Sequence, residues 1–90
     1  MTAPRIHVVS LELVSRKRKP TDVVARGSLR IGDLTLHRIV VLERSGERIT
    51  VGLPRLWESG RWHPVVELTD ELGKAVLVAV RAAYADLVAA

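Results

Sequence analysis

The chain has 90 residues, 48% of them apolar and 27% charged, with a formal net charge of +4. This is the balance of a folded protein rather than a disordered one, at a length that holds one hydrophobic core. The lack of cysteine removes disulfides and thiolate chemistry, and the longest apolar run, 75–80, is far short of the roughly 20 residues a membrane helix needs. The sequence therefore reads as one domain, 1–90, located in the cytoplasm, with neither a secretion signal nor a membrane partner.

Charge is unevenly placed. Met1 to Val66 carries 12 Lys/Arg and 6 Asp/Glu, a balance of +6, whereas Glu67 to Ala90 carries 2 and 4, a balance of −2. Aromatic residues are few, namely Trp57, Trp62 and Tyr84, so the core must come from Val, Leu, Ile and Ala.

In chain order, residues 5–14 read as a strand whose alternation changes phase. Ile6 and Val8 share one face and Val9, Leu11 and Leu13 the other, which calls for a bulge or for burial on both faces. Arg16, Lys17, Arg18 and Lys19, closed by Pro20, form a loop. The next strand, 23–31, places Val23, Ala25, Gly27, Leu29 and Ile31 on one face and Val24, Arg26, Ser28 and Arg30 on the other. Gly32-Asp33 suits a type II′ turn into a strand at 34–43. A turn at Ser45-Gly46 leads to a strand at 48–53, where Ile49, Val51 and Leu53 alternate with smaller residues. Glu58-Ser59-Gly60 reads as a tight turn, followed by a possible fifth strand at 62–67 that Pro64 edges or breaks.

Thr69 is suited to cap a helix over 70–87, with Asp70 and Glu71 complementing its dipole. Leu68, Leu72, Val76, Ala79, Ala83 and Leu87 form its stripe, widened by Leu77, Val80 and Tyr84. A helix so apolar needs cover from more than one sheet face, and a second subunit is the natural source. The expected class is α+β: an antiparallel four- to five-stranded meander followed by one C-terminal helix, as a homodimer.

The ingredients of catalysis are missing. His7, His37 and His63 lie on separate elements without metal-ligand spacing. No serine sits in a nucleophile elbow, and no glycine-rich phosphate loop occurs. The expectation is no enzyme, no cofactor, no metal and no small-molecule substrate.

Three groups of residues are candidates for polyanion contact. The loop of Arg16, Lys17, Arg18 and Lys19 has two readings, a reach toward phosphates or a solvated loop that discourages edge pairing. The second group runs from Arg55 to His63, where Arg55, Trp57, Arg61 and Trp62 set rings beside cations as single-strand binders do. The ordinary alternative seats Trp62 in the core and uses Trp57 to cover the helix or a dimer contact. Lys74 and Arg81, two helical turns apart, would reach two phosphates or simply face solvent. Arg26 and Arg30 add positive field from their strand.

The strings Leu36-His37-Arg38-Ile39-Val40-Val41, Ile49-Thr50-Val51-Gly52-Leu53-Pro54 and Gly60-Arg61-Trp62, followed by a helix containing Tyr84, resemble in order and spacing the stage V sporulation protein G (SpoVG) family of bacterial septation regulators. The resemblance covers nearly the whole chain. It implies a small homodimer of the meander-plus-helix type that binds DNA or RNA and regulates division or development without catalysis. The chain departs from the family after Pro54, where Arg55-Leu56-Trp57 stands in place of the usual Ser-Lys-Arg, and in its helix, which is less charged. The segments 54–60 and 66–73 are also slightly shorter. A weaker similarity is to single-strand-binding coactivators of the PC4 type, which also place a helix after a four-stranded meander. The competing function is a homodimeric protein-interaction module that presents Trp57 and the apolar helix and binds no nucleic acid.

Overall fold

The computed structural model describes residues 5–14, 23–44 and 48–90. Strands β1 (Ile6–Leu13), β2 (Val23–Ile31), β3 (Leu34–Arg44) and β4 (Arg48–Gly52) form one antiparallel sheet in the order β1-β2-β3-β4. Strands β5 (Arg55–Glu58) and β6 (Arg61–Pro64) form a separate two-stranded sheet, and helix α1 (Asp70–Ala89) closes the chain. The protein is thus α+β, as its alternation and helix signals indicate. The fifth strand of the expected meander joins a hairpin of its own, and Arg55 to Glu58, where no strand is expected, is the other strand of that hairpin.

Helix α1 starts where its chemistry dictates. Thr69 is extended, with φ −61° and ψ 159°, and its Oγ1 accepts a hydrogen bond from the Leu72 amide at 3.3 Å, satisfying one of the free donors of the first turn. The helix packs across the sheet against β1 and β4. Val76 and Val80 are fully enclosed there, and Leu72 and Tyr84 extend the contact at four-residue steps. The spine of the helix is therefore 72-76-80-84, which makes Val80 and Tyr84 central to the stripe rather than its margin.

The opposing sheet face is an apolar layer of Leu29 and Ala25 from β2, Leu36, Ile39 and Val41 from β3, and Ile49 and Val51 from β4. Ile6, Val8 and Leu11 of β1 complete it. Three irregularities in the register make this set possible. Between Val8 and Ser10 the pairing with β2 slips by one residue, so Val9 is extra. Ile6, Val8 and Leu11 then face the helix together, while Val9 is exposed. Of the two readings of the phase change in β1, a bulge or burial on both faces, the structure shows the bulge.

A second slip lies between Val23 and Ala25 against consecutive residues of β3. It moves Val23 level with Leu42, on the outer side of the sheet, and draws Val24 into the core. These two residues exchange the faces that simple alternation assigns them, because one residue added to a ladder reverses every face beyond it.

The third slip matters most for function. Gly27 pairs with Ile39 and Leu29 with Leu36, so β3 spends three residues where β2 spends two. Arg38 sits at that point with φ 61°, a left-handed conformation unfavourable to a non-glycine residue. The bulge returns Ile39 to the same inner face as Leu36 and leaves His37 and Arg38 exposed.

The β2–β3 hairpin turns at Gly32-Asp33, with Gly32 at φ 58° and the flanking pair Ile31 and Leu34 in register. Positive φ at the first turn position and not at Asp33 is the signature of the expected type II′ turn.

Candidate nucleic-acid interface

Residues directly paired across the sheet share a face, so the register also defines the side turned away from α1. Its rows are His7, Arg30 and Thr35; then Ser10 and Ser28; then Glu12, Arg26, Val40 and Gly52; then Val23, Leu42 and Thr50. Here Ser10 and Ser28 bond hydroxyl to hydroxyl at 3.0 Å, and the Arg30 Nε donates to Thr35 Oγ1 at 3.4 Å. Arg26 and Arg30 thus occupy the face that β2 alternation assigns them, and both are exposed.

Among the described residues several depressions adjoin on this side, and two of them share Arg38. One, of about 690 Å³, is lined by Val14, Val23, Arg26, Arg38, Ile39 and Val40. The other, of about 210 Å³, is lined by Arg38, Val40, Leu53, Pro54, Arg55 and Trp62. They share Arg38 and Val40, so they form one shallow trough from the end of β1 across the sheet to the base of the β5–β6 hairpin. Its floor is aliphatic, and Arg26, Arg38 and Arg55 are spaced along it. Glu12 stands opposite Arg26 in the same row, so the field along the trough is that of three guanidinium groups partly offset by one carboxylate.

The hairpin that ends the trough is set by turn chemistry. Ser59 and Gly60 have φ 54° and 79°, and positive φ at both central residues is the type I′ pattern. Trp57 then pairs with Trp62 and Glu58 with Arg61. The His63 Nε2 donates to the Glu58 carbonyl at 3.0 Å, and the Val65 amide to the Pro54 carbonyl at 3.2 Å. The two indoles meet edge to face, with centroids 5.3 Å apart and planes at 71°, and the Arg55 guanidinium lies 5.4 Å from the centre of the Trp62 ring.

Both indoles remain more than half exposed, Trp57 at 57% and Trp62 at 56%. The core placement expected for Trp62 is therefore overturned. A four-residue strand pair held only by its own turn and by the base of the sheet offers no interior for either ring.

No known protein family, curated protein or solved structure matches this chain. The reading of the site therefore stands on its geometry alone.

That geometry sorts the predicted residues. Arg26 and Arg55 line the trough, Arg30 lies farther along the same face, and Trp57 and Arg61 belong to the hairpin. Lys74 and Arg81 are on α1, which covers the opposite face of the sheet. Lys74 is exposed, while the Arg81 Nε donates to the Ile49 carbonyl on β4 at 3.1 Å, tying helix to strand. Arg16, Lys17, Arg18 and Lys19 lie outside the described residues.

The residue that sequence reasoning did not select is Arg38. Its signal is the three-residue interval between Leu36 and Ile39, too long by one for two residues on the same face of a regular strand. Among the described residues no group of three or more His, Cys, Asp or Glu is arranged to hold a metal, and no helix is long and apolar enough to cross a membrane.

Proposed function

We propose that this protein is a non-enzymatic, nucleic-acid-binding regulator of the SpoVG type, cytoplasmic and homodimeric. The observation that carries the reading is the line of Arg26, Arg38 and Arg55 along one open trough on the strand-rich, basic part of the molecule. Guanidinium groups recognise phosphate through paired N–H donors, and each phosphate neutralised releases condensed counterions. Arg30 and Arg61 add positive charge on the described surface, and Arg16, Lys17, Arg18 and Lys19 add four cations to the same basic part of the sequence.

Fluorescence anisotropy with mixed DNA and RNA oligonucleotides tests this. Affinity is expected to fall with salt along a log–log slope of about −2 to −3, the value for three phosphate contacts. Failure to bind any oligonucleotide at about 50 mM salt would end the reading, because the electrostatic contribution is near its largest there. It would leave the protein-interaction module as the better account of Trp57.

Support for the dimer comes from exposed apolar residues of α1, Val78 at 67% opposite the enclosed row and Val88 at 56% beside the helix end. A second copy would cover them. Light scattering at micromolar concentration is expected to give twice the chain mass of 9.9 kDa, and a monomer there would remove the dimer from the proposal.

A further inference from the structure

We infer that the trough and the β5–β6 hairpin form one site for single-stranded nucleic acid, with phosphates on Arg26, Arg38 and Arg55 and a base stacked on Trp57. This rests on the nucleic-acid reading above and narrows it to a ligand class and a place.

The shape of the trough argues for a single strand. A duplex presents phosphates on a convex cylinder and keeps its base faces inside the stack. It would meet the three arginines but leave the floor of Val23, Val40, Leu53 and Pro54 and the indoles unused. A flexible strand turns its sugars and bases onto such a floor while its phosphates remain at the cations. The crossing from β2 to β4 spans two strand spacings, roughly 10 Å, which a few nucleotides cover.

The hairpin argues the same way. Two exposed indoles cost hydration free energy that an isolated hairpin does not recover. Their arrangement is already fixed: Arg55 lies over Trp62, Trp62 meets Trp57 at 71°, and the type I′ turn holds the pair in register. A stacking platform ordered before binding loses little entropy when a base arrives. Trp62 is braced from two sides, so Trp57 is the ring that receives the base. The Arg55 that braces Trp62 also lines the trough, which places ring and phosphate contacts within reach of one strand.

Arg38 adds the third line of argument. It holds φ 61° on a β-bulge, where glycine would sit without strain, and bulges of this kind re-aim side chains beside functional surfaces. Its guanidinium-bearing side chain lines both halves of the trough.

The test uses the full chain and labelled oligonucleotides of about twelve nucleotides, within the usual site sizes, as single-stranded DNA, single-stranded RNA and duplex DNA. Single strands are expected to bind at least tenfold more tightly than duplex, and comparison of the DNA and RNA arms identifies the preferred strand. Trp57→Ala is expected to weaken single-strand binding roughly 5- to 100-fold while changing duplex binding less than about twofold, and Trp57→Phe to restore much of the loss. Intrinsic tryptophan emission of the parent should be quenched by single strands, and less so in Trp57→Phe. Trp57 is exposed, so circular dichroism of both variants should match the parent. Duplex binding as tight as single-strand binding, with Trp57→Ala neutral, overturns this inference and leaves the broader reading standing. Absence of binding to all three probes at low salt overturns the broader reading, and this inference with it.

Discussion

Replacing Gly27 by alanine is expected to lower stability by more than about 2 kcal/mol, the upper part of the range for overpacking a closed site. A Cβ at Gly27 would overlap the Ser10 carbonyl oxygen, lie 2.7 Å from the Ser10 carbonyl carbon and 2.9 Å from the Leu11 Cα. All three are backbone atoms of β1, so no side-chain rotation relieves the overlap. The close approach lies beside the bulge at Val9, where the pairing of β1 with β2 shifts by one residue. Relief requires β1 to move away, weakening the pairs from Ser10 to Leu13 and the Ser10–Ser28 hydroxyl contact. In a domain of this size each kcal/mol shifts the midpoint by about 4–8 °C, so thermal unfolding should report a drop of roughly 10 °C or more. Gly73 supplies the matched control: on the helix a Cβ meets nothing within 4 Å, and alanine there should match or slightly exceed the parent's stability. A Gly27→Ala variant within about 0.5 kcal/mol of the parent would mean that β1 is not seated this closely.

The elements legible in the sequence are those whose signal is local or periodic. Thr69 announces α1 because a hydroxyl at that point satisfies an amide whatever the rest of the chain does. Gly32-Asp33 announces its turn for a similarly local reason. The bulge in β1 is legible because Val8 and Val9 are adjacent and both apolar, which no regular half-buried strand accommodates. Strand β5 carries no such signal. Its four residues, Arg55, Leu56, Trp57 and Glu58, are all exposed, so there is no inside and outside to alternate. Only the pairing with β6 defines it. Val23 and Val24 fail differently, because two equal side chains side by side do not reveal which one a bulge has displaced.

The candidate site follows the same division. That Arg26 and Arg30 share an outer face is readable from the period of β2, whereas the company Arg26 keeps depends on how β3 and the hairpin fold back on it. On sequence grounds, apolar bulk seats Trp62 in the core and leaves Trp57 to cover the helix or a dimer contact. Exclusion of Trp62 comes from topology, since the hairpin pairs with itself instead of extending the sheet. Arg38 was visible as a cation but not as a member of the site, because its face is set by the bulge it occupies.

Removing the three trough arginines together, as Arg26→Ser, Arg38→Gly and Arg55→Ser, is expected to weaken single-strand binding about a hundredfold or more at moderate salt and to reduce the magnitude of the log–log salt slope by about two. Each single variant should reduce it by about a third of that, uniformly across sequences, as phosphate contacts do. Arg38→Gly separates binding from folding. The left-handed backbone at φ 61° costs an ordinary residue about 1–2 kcal/mol, and glycine gives back roughly 0.5–1 kcal/mol of that through its freer unfolded chain. Its stability should therefore equal or slightly exceed the parent's while its affinity falls. Loss of a cation and gain of stability at one position is the pattern of a residue retained for a ligand at the expense of the fold. Lys74→Ser, on the helix that covers the other face of the sheet, should leave the slope unchanged. If Lys74→Ser flattens the slope and the trough variants do not, phosphates meet the helix side of the molecule and the open sheet face is not the site.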